Sequence, residues 1–327
     1  MDRPGAVAEL RSAVAAFAKE YLATADRWCV ALSGGPDSLA LAAVAAGLLP
    51  TTALIVDHGL QAGSAAVAAT AQRQAKELGC AAAHVLCVQV SDSRVAGGPE
   101  SAARSARYRA LEAARRDRPV LLAHTLDDQA ETVLLGLGRG SGARSIAGMR
   151  RYDPPWCRPL LGVRRRVTHA ACAELGLTAW QDPHNTDRRF TRTRLRHEVL
   201  PLLEEVLGGG VAEALARTAT ALREDIELVD ALIAQAMTTS GTAEGLDAQA
   251  LAALPDPVRR GVIRSWLLAG GAIGLSDKQI RGVDRLVTAW RGQGGVAVGS
   301  GLRNQRLVAG RSGGLLALRR EPIGNRT

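Results

Sequence analysis

Leu32-Ser33-Gly34-Gly35-Pro36-Asp37-Ser38 lies between an apolar run, Trp28-Cys29-Val30-Ala31-Leu32, and the segment Leu39-Ala40-Leu41-Ala42-Ala43-Val44. The first reads as a buried strand and the second as a helix, so the chain turns through serines and glycines onto a helix N-terminus. Such a turn is an anion cradle. Backbone N–H groups that no helical carbonyl satisfies point at one spot, at the positive end of the helix dipole. Two glycines permit close approach to the backbone, and Ser33 and Ser38 add hydroxyl donors. Asp37 is a carboxylate set among anion donors, which makes sense with a Mg2+ beside bound phosphates. The plainer alternative is a serine/glycine turn that only caps a helix. It is not the Gly-Lys-Ser/Thr loop of Walker-type sites, because Lys19, Lys76 and Lys278, the chain's lysines, do not follow glycine.

Working outward, apolar runs alternate with helical patterns through the first half of the chain. Strands are expected at Trp28–Leu32, Ala53–Asp57, His84–Val90 and Val120–His124, with helices near Val7–Leu22, Ser38–Leu48, Ser64–Leu78 and Ser101–Arg115. This alternation predicts an α/β fold, a parallel sheet with helices on both faces. Ligands of such sheets sit at the carboxyl ends of the strands, where Ser33 onward, Asp57-His58 and His124 onward all fall. Residues 138–189 read as irregular, with one short helix near Arg165–Leu175, and a loop of that length points to function. A helix near Phe190–Leu207 ends at Gly208-Gly209-Gly210, a breaker and linker. Domains are therefore expected at 1–207 and 211–327. The second is smaller and mainly helical (Val211–Met237, Asp247–Ala253, Pro257–Leu268, Asp277–Ala289) and closes in a meander over Val296–Leu318.

The 327 residues suit two domains, and 47% hydrophobic residues with only 3% aromatics leave Leu, Val and Ala to fill the core. No apolar stretch approaches the roughly 18 residues of a membrane span, and Asp2, Arg3 and Glu9 interrupt any leader-like run. Cys29, Cys80, Cys87, Cys157 and Cys172 form no Cys-x-x-Cys pair, which argues for a reduced, cytoplasmic protein without a zinc or iron–sulfur centre of that type. The net charge is +9, and Arg139 to Arg196 hold 13 arginines against four acidic residues, a local excess that accounts for all of it. A concentrated basic strip is a footprint for a nucleic-acid backbone; a solvated arginine-rich surface is the alternative.

A second constellation, His124-Thr125-Leu126-Asp127-Asp128-Gln129-Ala130-Glu131-Thr132, opens the helix after the fourth strand. Thr125 is a suitable N-cap, and Asp128 and Glu131, three apart, share a face in the first turn, where the dipole favours negative charge. Ordinary acidic enrichment at a helix start would look the same.

Ser-Gly-Gly-x-Asp-Ser resembles the pyrophosphate loop of the N-type ATP pyrophosphatases, which cleave ATP to AMP and pyrophosphate. Several further segments follow in one order: Val56-Asp57-His58-Gly59-Leu60, the His124–Thr132 segment, Arg139-Gly140-Ser141-Gly142, Arg158-Pro159-Leu160, Asp182-Pro183-His184-Asn185 and Thr191-Arg192-Thr193-Arg194-Leu195-Arg196-His197. As a set, across roughly the first 205 residues, they resemble the tRNA(Ile)-lysidine synthetase family. The resemblance implies an adenine nucleotide alpha hydrolase-like (PP-loop) fold. It also implies an activity: ATP adenylates C2 of the wobble cytidine of a CAU-anticodon tRNA(Ile), and free L-lysine displaces AMP to form lysidine. On that basis Ser33, Gly34, Gly35, Pro36, Asp37 and Ser38 hold the pyrophosphate and Asp37 the Mg2+. Val56, Asp57 and His58 lie along the adenosine. Asp128 and Glu131 receive the lysine amine, and His124 orients these groups or the α-phosphate. Arg139 joins the ATP site; Arg192, Arg194 and Arg196 clamp phosphates of ATP or tRNA. Arg104 and Arg107, with Tyr108, match an Ala-Arg-x-x-Arg-Tyr helix assigned to tRNA, with a solvated face as the alternative.

The pattern departs from the family at Thr193, usually Asn, at His184, where Ser or Thr is commoner, and at Arg144-Ser145, usually apolar and glycine-rich. The third, C-terminal domain of longer members is not expected here. Two rival readings remain open: another PP-loop enzyme such as a tRNA thiolase, and a catalytically inert RNA-binding module. The first needs reactive cysteines or a cluster; Cys29 and Cys87 fall in expected strands as packing residues, while Cys157 and Cys172 lie in the basic strip and leave a thiol role open. Against the second stand the intact Asp37, Asp128 and Glu131. The sequence does not decide between a monomer and a homodimer.

Overall fold

A computed structural model describes residues 5–59, 63–88, 98–140, 142–301 and 305–322. The chain falls into two compact units, Met1–Arg223 and Glu224–Thr327. The first begins α1 (Ala6–Tyr21), β1 (Trp28–Ala31), α2 (Pro36–Ala46), β2 (Thr51–Asp57), α3 (Ser64–Glu77), β3 (Ala82–Cys87), α4 (Gly98–Ala114) and β4 (Val120–Leu121). It continues with α5 (Leu126–Gly138), α6 (Ala143–Ile146), β5 (Tyr152–Asp153), β6 (Trp156–Cys157), α7 (Arg165–Glu174), α8 (Thr191–Arg194) and α9 (Leu200–Val206). Leu60, Ser141 and Val90, named in the motifs and strands above, lie outside the described residues.

The sheet runs β3-β2-β1-β4-β6-β5, parallel throughout except for β5. Its strands are apolar on both faces, as a doubly covered parallel sheet requires. Trp28, Val30, Ala53, Ile55 and Leu121 pack with residues of α1, α2, α3 and α7. Their alternate neighbours, Cys29, Leu54, Val120 and Leu122, pack instead with Leu111 of α4. From β1 the chain first builds outward through β2 and β3, then crosses to β4 on the other side. The carboxyl ends of β1 and β4 are thus the point where strand order reverses, the crevice that such sheets offer to ligands.

Three expectations need correction. The segment 138–189 is not wholly irregular, since it holds α6 and the β5–β6 hairpin that extends the sheet. Two-residue strands are too short for alternation to reveal. The expected Phe190–Leu207 helix is broken into α8, a five-residue π turn (Leu195–Val199) and α9. Pro201 has no N–H to give the ladder and its ring crowds the carbonyl four residues back, so the helix widens just before it. Cys87 ends β3 exposed to solvent, while Cys29 is buried as read.

The second unit contains the end of α10 (Val211–Ser240), then β7 (Leu246–Asp247), α11 (Ala248–Ala252), α12 (Asp256–Ala269), α13 (Asp277–Thr288), β8 (Val296–Val298), β9 (Gln305–Ser312) and β10 (Leu315–Pro322). The strands form an antiparallel sheet ordered β7-β10-β9-β8. Leu251, Val262, Ile263, Val283, Ala309 and Leu316 are its fully buried centre. Among the described residues no helix is long and apolar enough to cross a membrane.

Candidate active site

The turn after β1 is organised by its own hydroxyls. Ser33 N–H donates to Ser38 Oγ at 3.2 Å, the two serine oxygens are 3.1 Å apart, and Ser38 Oγ donates to the Gly35 carbonyl at 2.9 Å. Gly34 takes φ +82°, a left-handed backbone that would strain any side chain, while its carbonyl accepts the Trp180 N–H at 2.9 Å. Gly35 is the N-cap of α2 and Pro36 its first residue, with no side-chain cap. Proline at this position removes one donor that would otherwise need a partner.

One strand over, Thr125 caps α5 as expected, and Asp128 returns the bond. Asp128 Oδ2 accepts both the Thr125 N–H and Oγ, each at 2.8 Å. Part of the Asp128 carboxylate is therefore a cap, as the plain reading had it. Its other oxygen, Oδ1, faces the guanidinium of Arg165 at 2.7 Å.

Arg165, the first residue of α7, joins the two constellations. Its guanidinium reaches Asp128 at 2.7 Å, Glu131 at 3.2 Å and Asp37 at 3.6 Å, and the side chain is 14% exposed. Thr168, one turn along, donates to Asp37 Oδ1, and His169 Nε2 lies 3.9 Å from it. Glu131 is completely buried (0% exposed), held also by Arg196 at 2.8 Å and Arg192 at 3.1 Å. Arg192 further donates to Thr132 Oγ1 at 2.7 Å. Asp37, Asp128, Glu131, Arg192 and Arg196 thus come together. Arg194 does not join them: it is 60% exposed and pairs with Glu198 at 3.1 Å. Arg139 is the exposed C-cap of α5, roughly 16 Å along the helix from Asp128 at the standard rise per residue.

His124 is buried beside Arg107, Arg158 and Arg104. Burial, and then those charges, pull its pKa down against the attraction of Asp128, so the ring is neutral at ordinary pH. His58, just beyond β2, is likewise lowered by burial and by Arg107. Val56 and Asp57 end β2, and Asp57 Oδ1 accepts the Gly59 N–H at 2.9 Å. Arg104 is exposed and donates to Tyr108 Oη at 3.2 Å. Around this edge His58 Nδ1, His124 Nδ1 and the Nε atoms of Arg107 and Arg158 are buried without a hydrogen-bond partner. A crowd of unpaired buried donors suits an anion, since each such group is costly alone.

The two acids sit in opposite electrostatic settings. Burial pushes the Asp37 carboxyl above its ordinary value, opposed by the Thr168 hydrogen bond, Arg165 and His169 and reinforced by Asp128. Burial works on Asp128 too, but Arg165, His124 and the Thr125 bonds outweigh it and hold its pKa down. Arg165, though burial disfavours its charge, is held protonated by Asp128, Glu131, Asp37 and Asp127. Among the described residues no three His, Cys, Asp or Glu side chains gather to hold a metal unaided. Mg2+ is normally bound by one or two carboxylates together with a substrate's phosphates. A buried carboxylate short of positive charge beside a phosphate cradle fits that partial donor set.

Sequence reading missed Arg165 and Thr168. A usable signal was present: Arg164-Arg165-Arg166 stands at the start of a helix, where the dipole repels cations. Arginines placed there need acids from elsewhere, and Arg164 indeed meets Asp127 at 3.4 Å and Glu213 at 3.0 Å. Of the thiols, Cys157 is pushed by burial to about 12 and Cys80 to about 11. Cys172 is also raised by burial, its Sγ donating to the Pro36 carbonyl at 3.2 Å. Protonated, buried thiols are poor nucleophiles.

A protein-family model described as a PP-loop domain matches residues 7–203, and one described as the TilS substrate binding domain matches 246–312. Among curated relatives, a tRNA(Ile)-lysidine synthase of Mycobacterium tuberculosis is 76% identical over 327 residues, covering 99% of this chain and 100% of its own. One from Nocardia farcinica is 59% identical over 314 residues, covering 95% and 98%. Among solved structures, a U34-tRNA thiolase from Methanococcus maripaludis has a TM-score of 0.54 at 18% identity, over 67% of this chain and 80% of that one, a likeness of fold.

Proposed function

The chain belongs to the tRNA(Ile)-lysidine synthase family, and from that premise we propose that it uses ATP to join free L-lysine to the wobble cytidine of a CAU-anticodon tRNA(Ile). C2 of that cytidine is adenylated with loss of pyrophosphate, and the lysine side-chain amine then displaces AMP. One observation carries the site assignment: Arg165 touches Asp37 of the cradle and both Asp128 and Glu131. The acids that would serve the nucleotide and the amine therefore share one crevice.

In this reading Ser33, Gly34, Gly35, Ser38 and the start of α2 take the pyrophosphate. Asp37 would hold a Mg2+, which supplies charge neutralisation as the diphosphate departs. Val56, Asp57 and His58 border the adenosine. His124, neutral and buried, can hydrogen-bond the reacting phosphate without carrying a charge, and Arg107 beside it supplies the positive partner. The amine of lysine, with an ordinary pKa of about 10.4, must lose its proton to attack, at a cost on the order of 4 kcal/mol near neutral pH. Asp128, kept ionised by its surroundings, is suited to attract the ammonium, and a nearby carboxylate then accepts that proton. Arg192, Arg196 and the surface arginines Arg104 and Arg194 are proposed to meet tRNA phosphates. Residues 1–207 form the proposed catalytic domain and 211–327 an accessory domain that contacts the tRNA.

The test is mass spectrometry of nucleoside 34 after incubation with ATP, isotopically labelled lysine and the CAU-anticodon tRNA. Labelled lysidine is the expected product. An unmodified cytidine, or pyrophosphate release that is equal without tRNA, overturns the reading. A thiolase reading is disfavoured by the buried thiols of Cys157 and Cys172, and replacing all five cysteines with serine should leave modification intact.

A further inference from the structure

We infer that Arg165 is a resident cation in the ammonium subsite of the free enzyme, that lysine binds by displacing it, and that bound ATP gives the guanidinium its alternative partner. The inference rests on the assignment of lysine to Asp128 and Glu131 proposed above.

Three observations lead there. First, the carboxylates assigned to lysine are already neutralised: Arg165 takes Asp128 at 2.7 Å and Glu131 at 3.2 Å, and Arg196 and Arg192 complete the shell of Glu131 at 2.8 and 3.1 Å. A second cation added to this set meets like charge, so an ammonium gains a partner only where a guanidinium gives one up. Second, of these three arginines Arg165 alone also reaches toward Asp37, the acid of the phosphate cradle. Third, it is held incompletely. Its contact with Asp37 is 3.6 Å, beyond hydrogen-bond range, and its Nε is buried without a hydrogen-bond partner. It also sits at the first position of α7, where the helix dipole opposes a cation. A charge held by outside acids against its own helix can exchange partners without unravelling that helix.

The cradle adjoins it. Asp37 is the second residue of α2, and the first turn of α7 is pinned to it by Thr168. Phosphates at the start of α2 therefore offer Arg165 a stronger anion within a side-chain rotation. Nucleotide and amino acid are then coupled. ATP draws Arg165 off Asp128 and Glu131, the ammonium takes its place beside Arg196, which stays 3.5 Å from Asp128 and 2.8 Å from Glu131, and lysine binding should depend on nucleotide by a shared coupling energy.

Calorimetric titration of the full-length protein with L-lysine tests this, with and without Mg2+ and a non-hydrolysable ATP analogue. The wild type should bind lysine about tenfold or more tightly once the analogue is present. Arg165→Met should bind lysine without nucleotide at least about tenfold more tightly than the wild type, and the dependence on nucleotide should vanish. Arg165→Lys, which keeps a cation, should behave like the wild type. Arg165→Gln, more polar and easier to accommodate, should match the Met variant and serves if that one does not fold. A folded Met or Gln variant with unchanged or weaker lysine binding overturns the inference, as does a wild type indifferent to nucleotide. Asp128→Asn separates the two layers. If it binds lysine like the wild type with nucleotide present, the lysine assignment itself falls. If it loses lysine while the Arg165 variants change nothing, only the displacement falls.

Discussion

Two helices start side by side at the crevice, and they treat their N-termini differently. The helix α2 begins at Gly35 and Pro36 without a side-chain cap, whereas α5 begins at Thr125 with a complete capping box closed by Asp128. Both carry an acid in the first turn, and both acids are largely buried. Yet burial raises the pKa of Asp37, while Arg165, His124 and Thr125 overcome burial and lower that of Asp128. An open helix start with an under-neutralised acid is a place for a ligand that brings phosphate and metal together. A closed start with a well-neutralised acid already holds the protein's own cation.

The contrast breaks most sharply through chemistry. Asp37→Ala should reduce pyrophosphate release, in the presence of lysine and the CAU-anticodon tRNA, by on the order of 10²–10³-fold, the usual loss when one electrostatic stabiliser of a leaving group is removed. A variant within a few-fold of the wild type would mean that α2 does not face the departing diphosphate. Next comes the closed side. Glu131 is fully buried among Arg165, Arg192 and Arg196, so Glu131→Gln leaves guanidinium groups without their counter-charge and should cost about 3–5 kcal/mol in urea unfolding. A loss near zero would show that the arginines find other partners and that the charge is not fixed there.

How much of this contrast the sequence disclosed follows from distance along the chain. The cradle and the capping box are local, written in seven and nine consecutive residues, and their strands and helices follow from alternation and caps. The link between them is not local. Arg165 meets Asp128 across 37 residues of sequence, through the packing of α7 against α2, which no periodicity encodes. The hairpin of β5 and β6 escaped because two residues per strand carry no period. The π turn before Pro201 escaped because proline marks a disturbance without fixing its form. Arg194 and Arg196 look equivalent in sequence, but two residues apart on a helical turn they face opposite sides, one to Glu198 and the other to Glu131.

The smaller effects sharpen the same contrast. Thr125→Ala removes the cap of α5 and one donor to Asp128, and should cost about 1 kcal/mol, typical of a lost N-cap. Gly35→Ala at the uncapped start of α2 removes no side-chain bond, so the two substitutions should differ in thermal unfolding.

The last expectation concerns pH, where the two acids act with opposite sign. The folded chain binds a proton on Asp37 more tightly than the unfolded chain does, because its pKa is raised from 3.8. Its favourable contribution is present below that value and fades as pH rises through the raised one. Asp128 is the reverse: its pKa is lowered from 3.8, so its contribution is present above 3.8 and is lost as pH falls toward the depressed value. Urea midpoints of Asp37→Asn and Asp128→Asn, each compared with the wild type as pH is lowered from neutral toward 3, should therefore diverge. The Asn variant at 37 should hold its largest advantage at neutral pH and lose it on acidification. The variant at 128 should show its largest deficit at neutral pH and recover toward the wild type in acid, each slope staying below about 1.4 kcal/mol per pH unit. Parallel curves would mean that the open and closed helix starts are electrostatically alike. The phosphate cradle would then have no more need of an added cation than its capped neighbour.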